Sequence, residues 1–150
     1  MAYEVVTLTA QPRPTAVVAA TTTWPEYPRL WGRLLDQVHA NVHWGGSGHK
    51  GRNVMLYLDD VPHVEVGVEL DQPASFEPPV LRSALPAGAA VMTVHRGPFT
   101  ELGGGHDAIH RWCKENGRKL AGPRWEIYGH HYDDPALLET EIYYLLADSR

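Results

Sequence analysis

The sequence predicts an α+β fold built from two tandem β-α-β-β repeats. Packed about a pseudo-twofold axis, the two would carry both helices on one sheet face. Three observations predict it. Asn53-Val-Met-Leu-Tyr57 matches Arg124-Trp-Glu-Ile-Tyr128, and Val64–Leu70 matches Thr140–Leu146, with Glu65 opposite Glu141. Each matched strand pair also follows an amphipathic helical stretch. A single unit of this kind cannot cover its own sheet and helix face, so two should pack together.

The first half opens with two β-favouring runs, Tyr3–Thr9 and Thr15–Thr23. Thr23-Trp-Pro-Glu26 has the form of a capping box with Pro25 at the first helical position. Leu30, Trp31, Leu34, Leu35, Val38 and Val42 then recur at helical spacing, predicting a helix over Tyr27–His43. The simplest place for Trp24 and Trp31 is the core. A glycine-rich connection, Gly45–Gly51, leads to the strands Asn53–Leu58 and Val64–Leu70, joined by the Asp59-Asp60-Val61-Pro62 turn.

Asp71–Pro79, with its three prolines, divides the chain. The reading is one domain over residues 1–150, with repeat one at about 3–70 and repeat two at about 80–147. Ala89–His95 is a strand and Gly97-Pro98 a turn. Thr100 is placed to cap a helix running to Asn116-Gly117, with Leu102, Ile109, Trp112 and Cys113 as its buried stripe. Gly103-Gly-Gly105 weakens its first turn and suggests an irregular start or a close backbone approach. Arg124–His130 and Glu141–Leu146 are the closing strands.

Composition narrows the function. The chain has 150 residues, a net charge of −5 and 43% hydrophobic residues, which suits a globular domain and argues against general nucleic-acid binding. The single cysteine, Cys113, excludes an internal disulfide framework and suits a reducing compartment; with no signal-peptide pattern or membrane-length apolar run, the expectation is cytoplasmic. His39 with His43, and His106 with His110, stand one helical turn apart, and His130-His131 are adjacent. None has the accompanying ligands of a zinc motif, so they read as solvated and no metal or cofactor is expected. Gly45-Gly-Ser-Gly-His-Lys-Gly51 lacks the ending of a phosphate loop. Cys113 lies on an apolar stripe and reads as packing, and Ser47, Ser75, Ser83 and Ser149 lack a nucleophile-elbow setting.

Glu126 is the candidate centre. It lies among Trp125, Ile127 and Tyr128, all strand formers, and strand alternation puts it on the face of Tyr128. A buried carboxylate among aromatics is costly unless it meets a cation or performs proton transfer; the bland alternative is a solvated edge. Met55 stands in the first repeat where Glu126 stands in the second. A cleft at the repeat seam would therefore carry its Glu on one side, with Met55 and Tyr57 opposite. Trp44, beside the glycine-rich connection, is a candidate lid.

The ordered set His95-Arg-Gly-Pro-Phe99, the helix through Trp112 and Gly117, Gly122-Pro123, Trp-Glu-Ile-Tyr128 and Thr140-Glu-Ile142 resembles the GyrI-like small-molecule-binding domain. That is also the effector-binding domain of BmrR-type and AraC-type multidrug regulators. The resemblance runs from Tyr3 to Leu146. It implies one curved antiparallel sheet with two helices and a hydrophobic pocket between them, whose buried Glu, here Glu126, receives lipophilic cations, with a pocket tyrosine near Tyr143 and a pocket position at Phe99. Phe99 replaces the more usual tyrosine, and Tyr144-Leu145-Leu146 stands where many members have a proline. The resemblance implies a stand-alone binder of hydrophobic, often cationic aromatic molecules. Its alternatives are a hydrolase of cyclopropanoid genotoxins using Glu126 and Tyr143, and a partner of DNA gyrase. Direct nucleic-acid or membrane partners are not expected.

Overall fold

The computed structural model describes residues 3–45, 50–129 and 131–147. In chain order the elements are β1 (Val6–Ala10), β2 (Arg13–Thr21), α1 (Tyr27–Asn41), β3 (Val42–Trp44), β4 (Asn53–Tyr57), β5 (His63–Glu69), β6 (Ala74–Phe76), β7 (Leu81–Leu85), β8 (Gly88–Arg96), α2 (Gly103–Glu115), β9 (Leu120–Tyr128) and β10 (Glu139–Leu146). A 3-10 turn, Phe99–Glu101, precedes α2, and another, Pro135–Leu137, precedes β10. Part of the Gly45–Gly51 connection, together with His130 and Ser149, falls outside the described residues. No helix among the described residues is long and apolar enough to cross a membrane.

The chain forms two compact units, Pro12–Leu85 and Met1–Gln11 with Pro86–Arg150. In the first, the strands run β4-β5-β2-β7, and β3 and β6 form a separate ribbon. In the second, the order is β1-β8-β10-β9. These pairings are all antiparallel. The α+β class and the β-α-β-β core of each repeat are as the sequence predicts: β2-α1-β4-β5 and β8-α2-β9-β10.

The repeat match holds residue by residue in the registers. Tyr57 faces Val64 and Met55 faces Val66 in one unit; Tyr128 faces Thr140 and Glu126 faces Ile142 in the other. The fourth strand of each sheet comes from outside that core. β1 does not stay with the repeat it precedes but pairs with β8, Val6 opposite Met92. β7 takes the corresponding edge of the first unit, beside β2. Neither β6 nor β7 was legible, because prolines at 73, 78, 79 and 86 crowd their flanks and edge exposure removes the alternation.

Three local expectations are corrected. α1 starts at Tyr27, as expected, so Pro25 is not its first helical residue. The Thr23 hydroxyl accepts from the Glu26 backbone N–H at 3.3 Å, but as part of a turn ahead of the helix, with Pro28 in the first helical turn. Trp24 and Trp31 are not core residues; each is about two-fifths exposed, while Tyr27, Leu34 and Val38 form the buried stripe. Thr100 does not cap α2, because the 3-10 turn intervenes.

A close backbone approach in the first unit is made at Gly67. A Cβ there would overlap the carbonyl of Ala16 and crowd Cα of Val17, so only glycine fits. Glu69, at the end of β5, is buried yet compensated. Arg52 grips its Oε1 through Nε at 2.7 Å and its Oε2 through Nη2 at 3.2 Å, and Arg13 reaches Oε2 at 3.1 Å. In the second unit Val91, Ile109, Cys113, Ile142, Tyr144 and Leu146 form the core beneath α2. Burial holds the Cys113 thiol above its ordinary pKa, in keeping with a packing role.

Candidate functional site

β9 pairs with β10 so that Arg124, Glu126 and Tyr128 face Tyr144, Ile142 and Thr140. Strand alternation places this set on the sheet face that packs against α2, since Ile142 and Tyr144 belong to the core beneath that helix. α2 comes in closely at its start. A Cβ on Gly105 would lie 2.6 Å from Cδ1 of Ile142, so the glycine lets the first turn rest on the sheet. The next residue, His106, is thereby brought down to β9.

Glu126 is 4% exposed. The Tyr128 hydroxyl donates to Oε1 at 2.7 Å. His106 Nε2 stands 2.7 Å from Oε2, and its Nδ1 stands 2.7 Å from the Tyr144 hydroxyl. Because a carboxylate only accepts, Nε2 carries the proton. With a neutral ring, Nδ1 accepts from Tyr144 and the cluster keeps the single negative charge of Glu126. With a protonated ring, both nitrogens donate and the cluster is neutral. The Tyr128 ring meets Phe99 edge-on at 5.4 Å, and the Tyr144 ring meets those of His106 and His110 edge-on at 5.6 and 5.1 Å.

The first unit holds an apolar version of this arrangement. Tyr27, from the start of α1, donates its hydroxyl to the Met55 sulfur at 2.9 Å, and the Tyr57 hydroxyl reaches the same sulfur at 3.6 Å. Trp24 completes the cluster, 5.6 Å from the Tyr57 ring. The same scaffold thus carries thioether and aromatics in one copy, carboxylate and imidazole in the other.

Of the residues singled out in the sequence, Glu126, Tyr128 and Phe99 come together. Tyr143 does not join them. It sits opposite Trp125 in the register, and the two rings stack 5.3 Å apart with planes 7° from parallel. Its hydroxyl donates to Glu141 at 2.6 Å. Strand alternation puts Tyr143 and Glu141 on the other face of the sheet from Glu126. Met55 and Tyr57 belong to the first unit's cluster, and Trp44 pairs with Ala74 in the small ribbon.

The residue missed in the sequence is His106, read there as solvated. Its place three residues before Ile109 and seven before Cys113, on the buried stripe, was the available signal. His39 and His43, by contrast, are exposed and bond Asn53 and Glu77. Among the described residues no group of three or more His, Cys, Asp or Glu could hold a metal.

The family model of the GyrI-like small-molecule-binding domain matches residues 1–147. The chain belongs to the GyrI-like family. No curated protein matches it. Among solved structures this GyrI-like domain is similar to the C-terminal domain of EcmrR, at 20% identity and a TM-score of 0.71, covering 99% of each chain. SAV2435, solved bound to tetraphenylphosphonium, aligns at 12% identity and a TM-score of 0.67, covering 98% of this chain and 94% of that one. A hydrolase from Listeria innocua aligns at 12% identity and a TM-score of 0.61, covering 96% and 92%. At these identities the likeness is one of fold.

The GyrI-like domain also has a groove of about 470 Å³ along the outer side of α2, lined by Tyr3, Val5, Asp107, Arg111, Trp112 and Glu115 among others. It is open and charged at its rim, and it does not reach Glu126. Beside it the Tyr3 hydroxyl stands 2.8 Å from Nδ1 of His95, whose Nε2 stands 3.0 Å from the Pro98 carbonyl. Burial, and secondarily the Glu101 carboxylate, hold the Tyr3 phenol above its ordinary pKa.

Proposed function

We propose that this GyrI-like domain binds hydrophobic, often cationic aromatic small molecules, with Glu126 as the charge-recognising group. The observation that carries the reading is a carboxylate almost wholly removed from water, bracketed by Tyr128 and His106, with Phe99 standing against Tyr128. Aromatic faces and a desolvated anion attract a lipophilic cation by complementary means. Burial of the ligand body supplies most of the affinity, and cation–π contacts add about 0.5–2 kcal/mol each. Because both carboxylate oxygens already accept a bond, an arriving cation meets an organised anion and not a hydrated one. The binding of tetraphenylphosphonium by SAV2435, a protein of the same fold, supports the class of ligand.

The test compares methyltriphenylphosphonium with triphenylphosphine oxide, a neutral molecule of similar size and shape. Calorimetry on wild type should show tighter binding of the cation. Glu126→Gln should weaken the cation by about 1–3 kcal/mol and leave the neutral ligand almost unchanged, because only the electrostatic contact is lost. Equal losses for both would make Glu126 a structural residue.

A second reading is favoured by the 2.7 Å contact between His106 and Glu126, an acid–base pair of the sort that moves protons. In it the domain hydrolyses a strained electrophile of the cyclopropanoid class, as the hydrolase of the same fold from Listeria innocua keeps hydrolysis in view. Mass analysis after prolonged incubation with a cyclopropane-containing DNA alkylator decides it: an unaltered compound removes this reading.

A further inference from the structure

Thr140 occupies the row of the β9-β10-β8 sheet next to Glu126. Its cross-strand neighbours are Tyr128 on one side and His95 on the other. It is 0% exposed, and its hydroxyl has no hydrogen-bond partner among the described residues. The polar groups beside it are committed elsewhere: Tyr128 donates to Glu126, and His95 holds Tyr3 and the Pro98 carbonyl. The fold has no need of the hydroxyl. At the equivalent position of the other repeat, facing Tyr57 in the same register, stands Val64, its near-isostere and equally buried. A buried hydroxyl left without a partner is destabilising, and valine would avoid that at no cost in shape.

We propose that Thr140 is a specificity-determining residue of the Glu126 site, where its hydroxyl hydrogen-bonds a polar substituent of the ligand. The proposal rests on the cation-binding reading and names the ligand more closely. Thr140 is a diagonal cross-strand neighbour of Glu126, a separation on the order of 7–8 Å between such positions. The preferred ligand is therefore an aromatic cation carrying an oxygen or nitrogen about one ring's width from its charge, not a cation clothed wholly in hydrocarbon. Phe99, half exposed and edge-on to Tyr128, lies where such a ligand would enter.

The probes are tetraphenylphosphonium and (4-hydroxyphenyl)triphenylphosphonium, which differ by one hydroxyl. Wild type should bind the hydroxylated cation about fivefold more tightly, the worth of one net hydrogen bond. Thr140→Val should erase that preference while leaving tetraphenylphosphonium affinity unchanged, and should raise the Tm of the ligand-free protein. Thr140→Ser, which keeps the hydroxyl, should retain the preference. Binding of both probes with equal affinity, or a preference that survives Thr140→Val, overturns the proposal and leaves the cation reading standing. A Thr140→Val protein less stable than wild type also overturns it, since the hydroxyl would then have an internal use. Failure of both probes to bind removes the cation reading, and this proposal with it.

Discussion

His106 Nε2 lies 2.7 Å from Oε2 of Glu126, joining the first turn of α2 to the third residue from the end of β9. The contact is made through a glycine. Gly105 lets the helix settle on Ile142, and only from that height does the imidazole span the distance to the carboxylate while its other nitrogen meets Tyr144. One side chain thus orients the anion and ties it to the core beneath α2. Its loss should be felt in both stability and recognition.

His106→Ala should destabilise the fold by about 1–3 kcal/mol, because Oε2 of Glu126 and the Tyr144 hydroxyl each lose a buried partner. Urea unfolding of His106→Ala, Glu126→Gln and the double variant measures their coupling. A cycle showing at least about 0.5 kcal/mol of interaction is expected for groups in direct contact. Strict additivity would mean the contact is energetically idle.

Tyr128 and Tyr143 should separate cleanly in ligand binding. Tyr128→Phe removes the bond to Oε1 of Glu126 and should alter the affinity for phosphonium cations. Tyr143→Phe removes a bond to Glu141 on the other face of the sheet and should leave that affinity unchanged. Titration of both variants with tetraphenylphosphonium tests this. An equal effect of the two would place the ligand somewhere other than beside Glu126.

Gly67→Ala should cost more than about 2 kcal/mol, well above the ordinary effect of replacing a strand glycine. The added methyl would have to occupy the space of the Ala16 carbonyl, which is backbone and cannot swing aside. Gly32→Ala is the control, because nothing lies within 4 Å of its Cβ position and alanine favours the helix. Thermal melts should therefore move in opposite directions, and a stabilised Gly67→Ala protein would refute the close approach.

Asp59 should contribute stability with a defined pH dependence. The His63 backbone N–H, helped by the His63 ring and the Val61 N–H, holds the carboxyl below the ordinary aspartate value of 3.8. A depressed carboxylate stabilises fully above its unfolded-state value, and the contribution is lost as pH falls through the folded-state value. The stability gap between wild type and Asp59→Asn should therefore shrink as the pH is taken down below 3.8, where the carboxylate becomes protonated. A gap that persists undiminished in strong acid would overturn the assignment.

The sequence by itself determined the two helices, the matched strand pairs and the shared face of Glu126 and Tyr128. These follow from periods of 3.6 and 2, which are properties of neighbouring residues and survive whatever the rest of the chain does. Register is different, because it is set by hydrogen bonds between distant segments, and a shift of one residue sends every side chain to the opposite face. Only the tertiary structure therefore decided that β1 crosses to β8 and that Tyr143 stacks on Trp125 instead of approaching Glu126. The meeting of His106 with Glu126 needed more still. It depends on how closely a helix can lie on a sheet, which the glycine at 105 permits but no local pattern announces. The unpartnered hydroxyl of Thr140 belongs to the same class: a threonine in a strand is unremarkable in sequence, and its isolation exists only once Tyr128 and His95 have taken other partners.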